Sequence, residues 1–152
     1  MNFTFTSSRS RAYIQFKDLI GRKILFLILD KSEIQAWDIL NNRKYNQASV
    51  LIALPFFEMI QSNELIAFLW GEIPSAFSDP SKIKSKKENI SGEIQFRTKQ
   101  TTYGQLVEHV SFAIDENNSK IDLFMMNRDF YMQYPHLIRE IPGSVLPIKD
   151  NS

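Results

Sequence analysis

The chain contains no cysteine among its 152 residues, so disulfides, thiolate metal sites and a cysteine nucleophile are all excluded. Glycine and proline are sparse, at 5 and 6, which argues against fibrous or low-complexity structure. The glycines lie far apart, and neither a Gly-rich phosphate loop nor a Gly-x-Ser-x-Gly element occurs. Histidine appears twice, at His109 and His136, without the spacing of a His-Glu-x-x-His metal site. No sign of charge dominates: 18 basic residues face 17 acidic ones, for a net charge of +1. That balance excludes a polyanion binder working through bulk charge and leaves a local basic face open. Long hydrophobic runs are missing too. The longest, residues 24–29, is far short of the ~20 residues of a membrane span. Residues 1–11 lack the apolar core of a secretory signal. The expectation is a soluble, cytoplasmic protein with no cofactor and no metal.

What is present points to an α+β domain, mostly antiparallel sheet with two helical segments. A length of ~100–200 residues is typical of one domain. One domain is read over residues 1–146, with a tail at 147–152. Residues 9–17 alternate with period two. Arg9, Arg11, Tyr13, Gln15 and Lys17 fall on one face, Ala12, Ile14 and Phe16 on the other. Gly21 suits a turn, and 23–29 reads as a buried strand. Strands are also predicted over 34–40 and 48–53. Pro55 suits the first position of a helix over 55–70. That helix would carry Phe56, Phe57, Met59, Ile60, Leu65, Ile66, Phe68 and Leu69, with Ser62 and Asn63 as a break or new cap and Gly71 closing it. The apolar surface is wider than one amphipathic stripe, which predicts a homo-oligomer. Residues 73–90, with Pro74, Pro80 and a lysine cluster, read as a linker. Strands follow over 91–99, 107–114 and 120–126, with a turn at 115–118. Asn127 would cap a final helix beginning at Arg128.

The two halves echo each other. Ile14-Gln15-Phe16-Lys17 is matched by Ile94-Gln95-Phe96-Arg97, and residues 26–30 by 111–115. This suggests pseudo-repeats, 1–72 and 91–142, each a set of strands closed by a helix. Chance also produces four-residue matches, and any α+β domain of this size shows two strand-rich stretches.

The candidate site lies on the strand faces. Arg9, Arg11, Tyr13 and Lys17 share one predicted face, and Arg97, Lys99 and Tyr103 its counterpart in the second half. Lys84, Lys86 and Lys87 add charge between them. Cations track phosphates while ring faces stack on bases without demanding sequence, so the mixture suits single-stranded DNA or RNA. A solvated sheet face guarded by lysines against edge aggregation would have the same composition. His109, His136, the Asp115-Glu116 pair and Asp129 form no catalytic or metal-ligating pattern.

Several strands followed by a helix, twice over, resembles the Whirly and PUR-alpha families of single-stranded nucleic-acid binders. The elements carrying the resemblance are residues 11–17, 50–60, 93–99 and 121–131. It implies a curved antiparallel sheet backed by helices, often in an oligomer, and assigns no residue a role. Neither a Whirly-type lysine-rich signature nor the charged PUR-alpha repeats are present. Two function classes follow: a non-catalytic single-stranded nucleic-acid binder, and a small protein-interaction module of the immunity, antitoxin or phage-encoded inhibitor type. An enzyme is the least favoured.

Overall fold

The computed structural model describes residues 1–74, 83–87, 90–131 and 140–147, with 83–87 described by their backbone alone. The fold is α+β, with strand far outweighing helix and almost all strand pairs antiparallel. The chain divides into two compact units, the first formed by Met1–Leu54 and Met132–Ser152, the second by Pro55–Tyr131.

The first unit holds a sheet in the order β1 (Asn2–Ser7), β2 (Arg11–Lys17), β3 (Lys23–Asp30), β4 (Ile34–Asp38), β5 (Arg43–Tyr45) and β10 (Leu146–Pro147). Only the β5–β10 pair is parallel. Its presence draws Pro147 out of the expected tail. Ala12, Ile14, Leu27, Leu29, Ile34 and Ala36 are buried, and the pairing register sets them on one face. Gly21 turns the β2–β3 connection at φ +85°, as its lack of a Cβ permits.

Residues 48–53 form a helix, not the expected strand: α1 spans Gln47–Ala53. The Asn46 side chain accepts the Ser49 backbone N–H at 3.0 Å and so caps it. The apolar run misleads because only Val50 is buried, while Ile52 is 83% exposed. The helix packs against β4 and β5.

The second unit begins with a 3-10 turn, Pro55–Glu58, and α2, Ser62–Leu69. The single long helix expected over 55–70 is therefore two short elements. Gln61 starts the second, its backbone N–H donating to the Glu64 carboxylate at 2.7 Å. Gly71, at φ +86°, ends it, with Gly71 N–H donating to Phe68 C=O and Glu72 N–H to Ala67 C=O. The two elements turn different sides inward. Eight of the nine apolar residues that motivated an oligomer are buried within the chain, and the ninth, Trp70, is half-buried.

The second sheet runs β6 (Ile83–Lys87), β7 (Ile90–Thr101), β8 (Gly104–Ile114) and β9 (Ser119–Phe124). The expected linker therefore contains a strand, β6, paired antiparallel to β7. The ring of Phe56 packs on Phe112 at 5.4 Å, which places the 3-10 turn on the buried face with Ile94 and Val110. Among the described residues no helix follows β9. Residues 125–131 are irregular, and 132–139 lie outside the described residues. In the second unit the helix precedes the strands, so the order expected of a repeat differs.

The sheets nonetheless share register. Leu27 pairs with Ala36 and Leu29 with Ile34; at the same offset, Phe112 pairs with Ile121 and Ile114 with Ser119. Ile14 pairs with Leu27 as Ile94 does with Phe112.

Candidate nucleic-acid interface

Side chains alternate along a strand, so directly paired residues share a face. On the first sheet Arg11, Tyr13 and Gln15 do share one, together with Asp30, Ile28 and Phe26 of β3. Arg9 lies outside the strand, in the β1–β2 turn, and Lys17 lies past a register shift at Phe16/Lys17. The expected row of five is thus a row of three.

Arg11 and Tyr13 are engaged with β3, and Gln15 is buried. Arg11 pairs with Asp30 at 2.6 Å. Hydrogen bonds to Asp30 and then to Tyr13 raise the guanidinium pKa, and the Arg11 bond in turn lowers that of Asp30. Tyr13 lies nearly parallel to Phe26, ring centres 6.5 Å apart. Gln15 is buried, and its Oε1 has no hydrogen-bond partner, like Nε1 of Trp37 further along the same row.

The second sheet differs. Arg97 pairs across β7–β8 with His109, which pairs across β8–β9 with Phe124. The three form one row on the face opposite Phe112. The His109 and Phe124 rings stack 4.2 Å apart at an interplanar angle of 1°. Phe124 is nonetheless 58% exposed. Arg97 is exposed and has no ion-pair partner among the described residues. The His109 ring is anchored by Nε2, 2.8 Å from Asp122 Oδ1. An ionised carboxylate only accepts, so Nε2 carries the proton and Nδ1 is left buried without a partner. The His109 bond is the main cause holding the Asp122 pKa below the usual carboxylate range, and Ser111 and Lys120 also contribute. Asp122 is thus held ionised by its neighbours, with Lys120 the cation paired to it at 3.4 Å.

Lys99 and Tyr103 lie beyond a register shift at Arg97/Thr98, so regular alternation does not carry the Arg97 face through to them. Lys99 is 3.6 Å from Glu108. Tyr103 sits in the two-residue β7–β8 turn, where the Thr101 hydroxyl donates to Gly104 C=O at 2.8 Å. Its ring meets Phe130 edge-on at 4.8 Å and Tyr131 at 6.3 Å, while Phe130 also meets Trp70 at 5.7 Å. Arg128 anchors this region, donating to Phe68 C=O and Leu69 C=O, each at 2.9 Å. Burial pushes its pKa down to about 10, against the opposing charge of Glu108. Lys84, Lys86 and Lys87 are on β6, opposite Glu93, Ser91 and Ile90, and their side chains lie outside the described residues.

Sequence reasoning missed Phe124, His109, Phe130 and Tyr131. A signal for Phe124 exists. Lys120, Asp122 and Phe124 alternate on one face of β9, so Phe124 is the apolar member of an otherwise charged row. No cluster able to hold a metal occurs among the described residues, and none of their helices is long and apolar enough to cross a membrane. No protein-family model and no curated protein matches the chain.

Proposed function

We propose that the chain is a non-catalytic binder of single-stranded nucleic acid and that the β7–β9 face is its contact surface. The observation that carries this reading is the exposed Phe124 ring, stacked face to face on the neighbouring His109, with Arg97 at the other end of the same row. A large apolar ring on an otherwise polar sheet face offers a base a flat surface to stack on. The exposed Arg97 guanidinium, two strands away in the same row, meets the phosphate. The bracing by Asp122 and His109 fixes the platform before the ligand arrives, which lowers the entropy lost on binding.

The test is fluorescence anisotropy with mixed-sequence single-stranded DNA and RNA of ~20–30 nucleotides, at low and physiological salt. Phe124→Ala should weaken binding by about 1–3 kcal/mol and leave the salt dependence nearly unchanged. Arg97→Ala should flatten the salt slope by roughly 0.7. No binding by micromolar protein at low salt would overturn the proposal.

A protein-interaction module is the second reading. The observation favouring it is the aromatic cluster of Tyr103, Phe130, Tyr131 and Trp70, with Tyr131 85% exposed and Met126 nearby in sequence 88% exposed. Exposed aromatic and Met side chains mark protein interfaces as readily as base-stacking surfaces.

A further inference from the structure

At the β1–β2 turn a cavity of about 400 Å³ is lined by Thr6, Ser7, Ser8, Ser10, Arg11 and Tyr13. The volume falls within the ~300–1,000 Å³ of small-ligand sites. Five of the six lining side chains carry a hydroxyl. We propose that this cavity holds a ribose of an RNA strand through its 2′-hydroxyl and makes the chain prefer RNA to DNA. The proposal rests on the single-stranded nucleic-acid reading and adds the class of strand.

The hydroxyls divide into those that build the turn and those left over. The Ser8 hydroxyl accepts backbone N–H groups from Ser10 at 3.3 Å and Arg11 at 3.1 Å. The Ser7 hydroxyl donates to Ser8 C=O at 2.8 Å. These hold the cavity open in one shape. The Thr6 hydroxyl makes no hydrogen bond among the described residues, and the Ser10 hydroxyl has only a long 3.4 Å contact with Ser8. The third group is Tyr13. Arg11 is held by Asp30 at 2.6 Å, and the Tyr13 hydroxyl, which can both donate and accept, lines the same cavity.

The remaining groups therefore both donate and accept. A phosphate oxygen only accepts, and it would have to compete with the Asp30 carboxylate for Arg11. An apolar ligand would strand the hydroxyls. A nucleobase would find only one ring in the lining, Tyr13, with one side already turned to Phe26. A sugar hydroxyl donates and accepts at once, and the 2′-hydroxyl is the group that separates RNA from DNA. Covering the cavity with deoxyribose would leave Thr6 or Ser10 desolvated and unpaired, which is where discrimination arises.

The experiment compares one sequence as RNA, DNA and 2′-O-methyl RNA by fluorescence anisotropy with the full chain. One or two neutral hydrogen bonds predict RNA binding roughly three- to tenfold tighter than DNA. The 2′-O-methyl strand, which cannot donate, should fall toward DNA. Thr6→Ala with Ser10→Ala, or the exposed Ser10→Ala alone, should narrow the RNA-to-DNA ratio. Equal affinity for RNA and DNA overturns this inference and leaves the nucleic-acid reading standing. If neither strand binds, that reading fails. The cavity is then tested by NMR with a millimolar ribonucleoside against its 2′-deoxy counterpart. Shifts at Ser10 and Tyr13 confined to the ribonucleoside uphold a ribose site for the free nucleoside and overturn the strand as its source. Their absence overturns the site altogether.

Discussion

The two sheets pair their strands in the same register and present different chemistry on the faces opposite Leu27 and Phe112, the first of which is itself buried at Gln15 and Phe26. In the first, the row through Gln15 continues into Phe26 and Trp37; in the second, the row through Gln95 continues into Ser111 and Asp122. The opposite faces agree closely: Leu27 and Leu29 in one, Phe112 and Ile114 in the other, are all buried. The difference teaches which face sets the pairing. A one-residue slip would drive every buried apolar side chain to the wrong side, so the apolar face holds the register. The other face diverges, into a row of Gln15, Phe26 and Trp37 in the first unit and a His–Asp–Phe platform in the second.

The comparison can be broken most directly at the matched core positions. Phe112→Ala should destabilise the second unit by about 3–5 kcal/mol, and Leu27→Ala the first by about 2–4 kcal/mol. Trp37 reports on the first unit and Trp70 on the second, so thermal unfolding of single-tryptophan versions shows which transition moves. If both reporters shift equally in each variant, the units unfold as one.

Next comes Gly92, the register counterpart of Ala12. A Cβ at Gly92 would run into the Ala113 carbonyl and the Met59 side chain. Gly92→Ala should therefore lower stability by about 3 kcal/mol. The fully buried Ala12 already accommodates a Cβ, and Ala12→Gly should lose only about 0.5–1 kcal/mol. Chemical denaturation measures both, and similar losses would mean the two strands are packed alike.

Arg128→Ala should remove about 2 kcal/mol, because two carbonyls at the end of α2 lose a charged donor. Arg128→Lys should recover only part of it, since one ammonium cannot reproduce the planar fork. Full recovery would show that charge alone sufficed.

The smallest effect is in acid. The pKa values of Asp30 and Asp122 are both lowered in the folded chain, chiefly by Arg11 and by His109. A lowered carboxylate pKa stabilises fully above the unfolded value and is lost as pH falls through the folded one. Stability should therefore decline below the ordinary carboxylate range. Asp30→Asn should flatten that decline for the first unit and Asp122→Asn for the second, as read by melting temperature against pH. Unchanged slopes would show that other carboxylates carry the acid dependence.

Much of the fold was legible because its signals are local. Period-two alternation marks β2, and positive-φ positions fall at Gly21, Gly71, Gly104 and Asn118, all in predicted turns or caps. The echo occupies matching register positions over Ile14–Phe16 and Ile94–Phe96, and a register shift separates Lys17 from Arg97. The errors share one cause. Residues 48–53 are β-branched and apolar enough for a strand, yet Asn46 caps them as a helix. The lysine-rich stretch before Ile90 reads as a linker, yet it pairs as β6. In both cases a polar or apolar run was judged without its partner.

The amino-acid sequence by itself determined the α+β class, the positions of most turns, the absence of thiol chemistry and the alternation that sorts each strand into two faces. These depend on φ/ψ preference and on spacing, which each residue carries with it. The tertiary structure alone decided which strands became neighbours, and so which side chains met. It placed Arg11 against Asp30, closing half the predicted basic face, and put Phe124 on His109 beside Arg97. Such contacts join residues far apart in the chain, and they exist only once the apolar faces have locked the register.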